Sequence, residues 1–204
     1  MAVAQDITRG VLGEAGMNYS TLLHRSVDFD EFQLVLDPSY PSEHDQLLSL
    51  SIVQMLWDRG ETNGYAQHLT EQPYPNTPRH TILLLGAVGD HQVSEWTLQV
   101  EARTIGARGH RPYVDAARTR SASEHGWGIT ALGAAPYRGS AYYLWDTQSP
   151  LSPIDNVAAR DGHDPHDDTP NIDAVEDLKS EFMQVDGTVS DVCGGRACQG
   201  PPGG

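Results

Sequence analysis

Lysine is almost missing from this chain of 204 residues: Lys179 is the single example, and the other cations are arginines. Lys and Arg total 13 against 28 acids, a formal net charge of −15. A surface this acidic repels phosphate backbones, which removes the main attraction in nucleic-acid binding. Long apolar runs are missing as well. No stretch approaches the roughly 20 apolar residues that span a bilayer, so no membrane span is expected. The segment Met1-Ala-Val-Ala-Gln-Asp6 has neither a basic stretch nor a long apolar one. The chain is therefore expected to carry no signal peptide of its own. Cysteine is limited to Cys193 and Cys198, in Cys-Gly-Gly-Arg-Ala-Cys. A zinc site would need two more ligands, and no second Cys pair or closely spaced His pair follows. The intervening glycines let the two sulfurs meet at ordinary disulfide geometry. A small-loop disulfide is expected, with free thiols or a metal as the alternatives. A disulfide implies an oxidising compartment: secreted, periplasmic or cell-surface.

Glycine and proline, by contrast, are plentiful, at 20 and 13 residues. Much of the surface should be loop. The acidic excess is concentrated between Asp155 and Asp191, where the cations are Arg160 and Lys179. A run of this kind is ordinarily a solvated face or loop.

Hydrophobic patterning gives an ordered set of elements. Ile7 to Gly13 reads as a strand running into Gly13-Glu-Ala-Gly16. Tyr19 to Ser26 allows a helical turn or two, and Phe29, Phe32, Val35 and Leu36 form a helical stripe. After Pro41, the dense apolar positions from Leu47 to Trp57 predict a helix buried on several sides. The prolines at 73, 75 and 78 force an extended connector. His80 to Val88 is a continuous apolar run of strand length, the mark of a parallel strand covered on both faces. Gln92 to Ile105 predicts a helix with Val93, Trp96, Val100 and Ile105 inward. Residues 106–139 lack periodicity and read as a long surface loop, and Ser140 to Asp146 is a second buried strand. Asn171 is expected to cap a final helix to about Met183, with Ile172, Val175, Leu178 and Phe182 on one face. Residues 187–204 read as a Cys-containing flexible tail.

The fold class is therefore α/β: a parallel sheet of about three strands with flanking helices and an inserted helical cap over residues 17–78, in a domain of residues 1–186. Three strands are few for so apolar a centre, which reads as part of a larger sheet.

In open α/β sheets ligands bind at the carboxyl ends of strands. Gly13-Glu-Ala-Gly16 follows the first strand, Asp90 the second, and His163 and His166 lie on the loop after the third. A carboxylate there can fix an imidazole tautomer and stabilise the imidazolium formed when the ring takes a proton. The order strand, Gly89-Asp90-His91-Gln92-Val93, helix, strand, His-bearing loop, terminal helix resembles the C-terminal half of the α/β-hydrolase fold. The resemblance covers roughly residues 7 to 186. It implies Asp90 as the acid and His166, or His163, as the base of a Ser–Asp–His triad acting on ester- or lipid-type acyl substrates, without a cofactor. The family's Gly-x-Ser-x-Gly elbow occurs nowhere in the sequence. Ser20 and Ser140 sit in the wrong patterns. The expectation is a C-terminal fragment of a longer secreted hydrolase, inactive alone, whose partner is the missing N-terminal half of the same fold.

The loop allows a rival reading. Asp161, His163, Asp164, His166, Asp167 and Asp168 are hard ligands suited to Ca²⁺, Mn²⁺ or Zn²⁺, which would make the protein a non-enzymatic α/β binding module. No EF-hand spacing supports that. A degenerate hydrolase-like scaffold acting in protein contacts is a further alternative. The segment Leu56 to His68 reads either as a pocket wall or as an Asp58/Arg59/Glu61 network closing a helix end.

Overall fold

The computed structural model describes residues 1–118 and 125–201. Five strands, β1 (Arg9–Gly13), β2 (Thr81–Ala87), β3 (Arg108–Gly109), β4 (Ala141–Asp146) and β5 (Cys198–Gln199), form one sheet. The helices are α1 (Tyr19–Leu22), α2 (Asp30–Ser39), α3 (Glu43–Trp57), α4 (Gln67–Thr70), α5 (Glu95–Thr104) and α6 (Asp173–Phe182). The strand order is β1-β2-β4-β3, β5 also pairs with β4, and every pairing is parallel. The expected three strands are thus the long ones, joined by two strands of two residues each.

The unbroken apolar runs have the expected cause. Side chains alternate along a strand, and β2 sends Ile82 and Leu84 to one core and Leu83 and Leu85 to the other. In the first core, Leu98, Ala102 and Ile105 of the α5 segment pack with Tyr142 and Leu144 of β4. In the second, Val175, Leu178 and Phe182 of α6 pack with Tyr143 and Trp145. These three α6 residues are completely buried, each contributing roughly 1.5–3 kcal/mol by leaving water. The helix starts after Ile172, which makes no side-chain cap. Asn171, the expected cap, ends a 3-10 turn instead and donates from Nδ2 to Asp167 O at 2.9 Å.

Four further expectations need correction. Helix α3 is not buried on several sides: Leu48, Ile52, Met55 and Leu56 are exposed, while Gln46, Leu50 and Gln54 are buried. The amides explain the inversion. Gln46 Nε2 donates to Tyr40 O at 2.8 Å and Gln54 Oε1 accepts the Ser20 N–H at 2.9 Å, so the polar stripe finds partners inside. In the α5 segment the buried positions include Leu98, Glu101, Ala102 and Ile105; Val100 is half-buried against the first core, as expected, whereas Val93 and Trp96 are half-buried rather than inward. Residues 106–139 are more than a surface loop: they supply β3, and Tyr113, Val114, Ile129 and Leu132 are buried. Its positions 119–124 lie outside the described residues. The expected flexible tail is docked as far as residue 201, and its positions 202–204 lie outside the described residues. Val189 is completely buried and bridges Tyr137, β5 pairs with Trp145 and Asp146, and Cys193 and Cys198 are joined as a disulfide.

Helices α1 to α4 sit between β1 and β2 in sequence. Three contacts tie this segment to the site loops. Val27 N donates to His91 O at 2.9 Å, Arg25 reaches the carbonyls of Ile154 and Asp155, and Arg160 forms a two-pronged ion pair with Asp30 of α2. No helix among the described residues is long and apolar enough to cross a membrane.

Candidate active site at the carboxyl ends of three strands

Strands β1, β2 and β4 are neighbours and run the same way, so the loops after them converge. Each delivers one titratable side chain.

After β2 the chain turns at Gly89, with φ +83°. A side chain here would collide with Pro150 O, 2.2 Å from an added Cβ, so glycine is required twice over. The turn places Asp90 in a completely buried position. Its Oδ1 accepts the N–H groups of Gln92 and Val93, both at 2.8 Å. Asp90 therefore organises its own turn, as Asx residues do. Capping of α5 falls to Ser94.

The loop after β4 returns His166 to this carboxylate. Nδ1 of His166 lies 3.0 Å from Asp90 Oδ2 and 3.2 Å from Oδ1, across 76 positions of sequence. Asp164 fastens the two loops together: Oδ1 accepts the N–H groups of His91 and His166, and Oδ2 accepts Gln92 Nε2 at 3.0 Å. Burial pushes the Asp164 carboxyl up, but these donors outweigh it and hold the group below the usual carboxylate range. The hydrogen bond to Asp90 lifts the His166 imidazole to about 9; burial opposes this, and the charges of Asp90, Glu14 and Asp164 assist it. With Nδ1 engaged, Nε2 is the nitrogen left for proton transfer.

The third side chain is Glu14, at φ +46° just after β1. Its N–H donates to Leu85 O at 2.9 Å and its Oε2 accepts the Ala87 N–H at 3.0 Å. The carboxyl thus finishes the hydrogen bonding of β2 where β1 has ended. Burial, and then the charge of Asp90, raise it well above the ordinary glutamate value. Sequence reasoning marked the Gly13–Gly16 turn as a strand end but did not single out Glu14. Its unusual backbone angle has no signature in the residue types.

His163 is not brought to Asp90. Its Nε2 lies 2.8 Å from Asp168 Oδ1, and about half of its side chain is exposed. The serines weighed against the elbow pattern are engaged elsewhere: Ser20 Oγ donates to Asn18 Oδ1, and Ser140 Oγ accepts the Ile82 N–H. The loop acids do not converge on an ion either. Among the described residues, the group of three whose ligand atoms gather closely is His110 with Cys193 and Cys198, and the disulfide occupies both sulfurs.

A second buried acid, Glu95, was also missed. It accepts Ser152 Oγ at 2.6 Å and lies 3.5 Å from His125 Nε2, with Trp96 stacked on that ring. In the Leu56–His68 segment the expected Asp58/Arg59/Glu61 network is made, among the described residues, without the Arg59 side chain, and Arg59 contributes its carbonyl to the Tyr65 hydroxyl. Gln54 and Asn63 bind Asp58 and Glu61 at the end of α3, while Glu61, Thr62, Tyr65 and Ala66 line a cavity.

Compared with protein-family models, with curated proteins and with solved structures, the chain matches none.

Proposed function

We propose that Asp90 and His166 are the acid and base of a Ser–Asp–His relay of the α/β-hydrolase type, acting on ester- or lipid-type acyl substrates. The observation that carries the reading is the 3.0 Å contact between His166 Nδ1 and a completely buried Asp90 carboxylate, formed between the ends of neighbouring parallel strands. In the reaction, a hydroxyl oxygen attacks the substrate carbonyl while its proton passes to His166 Nε2, and Asp90 stabilises the imidazolium. Collapse of the tetrahedral intermediate breaks the bond to the leaving alcohol, which takes the proton from Nε2. Water then repeats the sequence on the acyl group and restores the hydroxyl.

The hydroxyl belongs to a segment outside this chain. Two features support that. The sequence holds no Gly-x-Ser-x-Gly, and β1, at the end of the strand order, has an unpaired outer edge among the described residues, with Val11 and Leu12 half-buried. A further parallel strand on this edge would bring its own carboxyl end alongside Glu14 and within the same row as Asp90 and His166. The disulfide fits a secreted or periplasmic setting for the whole enzyme.

The test is co-expression of the chain with the polypeptide encoded immediately upstream of Met1, with p-nitrophenyl butyrate as the probe. Hydrolysis is expected from the pair and not from the chain alone. His166→Ala and Asp90→Asn are each expected to lower kcat by roughly 10³–10⁴-fold. Unchanged rates in both variants, or turnover by the isolated chain, would overturn the proposal.

A further inference from the structure

A cavity of about 890 Å³ lies beneath the cap, bordered by β1, α1, α5 and the Glu61–Leu69 segment. Its walls are mainly apolar, with Leu12, Leu22, Phe29, Tyr65 and Leu69 among them. No lysine, arginine or histidine is among its lining residues. Carboxyl groups are: Asp28, Glu61 and Glu101 line it.

Glu101 is the unusual one. It sits on the inward face of α5 with no exposed surface, and neither carboxyl oxygen has a hydrogen-bond partner among the described residues. A buried carboxylate without a donor costs several kcal/mol, and nothing in the packing around it offsets that. Glu61 across the cavity is engaged, accepting Gln54 Nε2 and the Asn63 N–H. It adds negative charge without supplying a donor. Burial and then the Glu61 charge raise the Glu101 carboxyl to about 7.

We infer that this cavity binds a small organic cation, an aliphatic or aromatic primary ammonium whose apolar body fills the pocket and whose N–H groups donate to Glu101. An ammonium supplies both the charge and the donors that Glu101 lacks. A divalent metal fits poorly, because it needs about six oxygen ligands and the cavity walls are hydrocarbon apart from a few groups. An anionic or neutral lipid chain would leave Glu101 unsatisfied. The site adjoins the Asp90–His166 pair, since Gln92 and Val93 line the cavity and Gln92 also holds Asp164. The inference does not depend on acyl transfer, because binding is measured on the chain as it stands.

The experiment is calorimetric titration at about pH 8 with n-hexylammonium, 1-hexanol and methylammonium. Hexylammonium is expected to bind at least tenfold more tightly than either control. In Glu101→Gln, which keeps the side-chain shape, the alcohol should bind as before and the ammonium should lose its advantage. A preference that survives this substitution would show general attraction to an acidic surface and overturn the inference, as would equal affinity of alcohol and ammonium in the unaltered protein. A second measurement needs no variant. At about pH 6.5, binding should release most of a proton, read from titrations in buffers of different ionisation enthalpy. Binding without proton release would also overturn it.

Discussion

Glu14 holds the N–H of Ala87 through its Oε2 at 3.0 Å, which places a second buried carboxyl within electrostatic reach of Asp90 and His166. The residue has two separable jobs: completing the β2 hydrogen bonds and adding negative charge beside the imidazole. Glu14→Gln keeps an acceptor and removes the charge, whereas Glu14→Ala removes both. Denaturant unfolding is expected to show a loss of about 1–3 kcal/mol for the alanine variant, because the Ala87 N–H is left without an acceptor. The glutamine variant should recover most of this. In both, the His166 ring should titrate lower than in the unaltered protein, as followed by NMR of its ring protons. Equal stability of the two variants would contradict the first job, and an unmoved titration the second.

The His166 imidazole sits near 9 because Asp90 binds its protonated form. Its folded value thus lies above the ordinary 6.5, so its stabilising contribution is complete below about pH 6.5 and is lost as pH rises through about 9. With a quarter of the side chain in solvent, the contribution is ~1–3 kcal/mol after screening. Unfolding curves of the unaltered protein and His166→Gln should differ most near pH 6 and converge near pH 10. Asp90→Asn should return the ring towards 6.5. In the assembled hydrolase the base must be neutral, so kcat/KM is expected to climb with pH through about 9. A flat profile from pH 6 to 10 would exclude His166 as the base.

The legible parts of the molecule are those whose cause is local. Strands β2 and β4 were visible because each face meets its own helix layer, which forbids alternation. Helix α6 was visible because Val175, Leu178 and Phe182 share one face. Asp90 and His166 could be paired because chain order placed both at strand ends. Helix α3 misled because apolar density normally means burial, whereas its buried stripe is built from Gln46 and Gln54 with partners distant in sequence. Strands β3 and β5, two residues each, owe their existence to β4 and have no signature of their own. Glu14, Glu95 and Glu101 were invisible for a related reason: glutamate is ordinarily a surface residue, and only the fold shows which ones lost their water.

Glu101 gives the opposite pH dependence to His166. Its carboxyl is raised from 4.5 to about 7 in the folded chain, so the folded state holds a proton that the unfolded state releases. Stability is therefore expected to fall as pH rises from about 4.5 through 7, by up to ~3 kcal/mol. Glu101→Gln removes this dependence and should be the more stable protein above about pH 8. The measurement is the midpoint of denaturant unfolding for both proteins at several pH values. A glutamine variant that is less stable than the parent at pH 8 would mean that the carboxylate has a partner in solution.

The last expectation concerns the tail. The Cys193–Cys198 bond closes a loop of sequence separation 5, and such a short loop restricts the unfolded chain by about 2 kcal/mol. Its removal also frees β5, which pairs with Trp145 and Asp146 at the end of β4, and the Gly200 N–H that donates to Asp146 O. The double substitution Cys193→Ser, Cys198→Ser should accordingly lower stability by ~2 kcal/mol or somewhat more, and amide exchange at Cys198 to Gly200 should quicken. The imidazole should be indifferent to this change. Between Asp146 and His166 lies a loop that Asp164 fastens to His91 and Gln92 rather than to the tail, so the His166 titration near 9 should survive. A titration that shifts with the cysteines would mean that the tail, and not the Asp164 bridge, keeps the imidazole on Asp90.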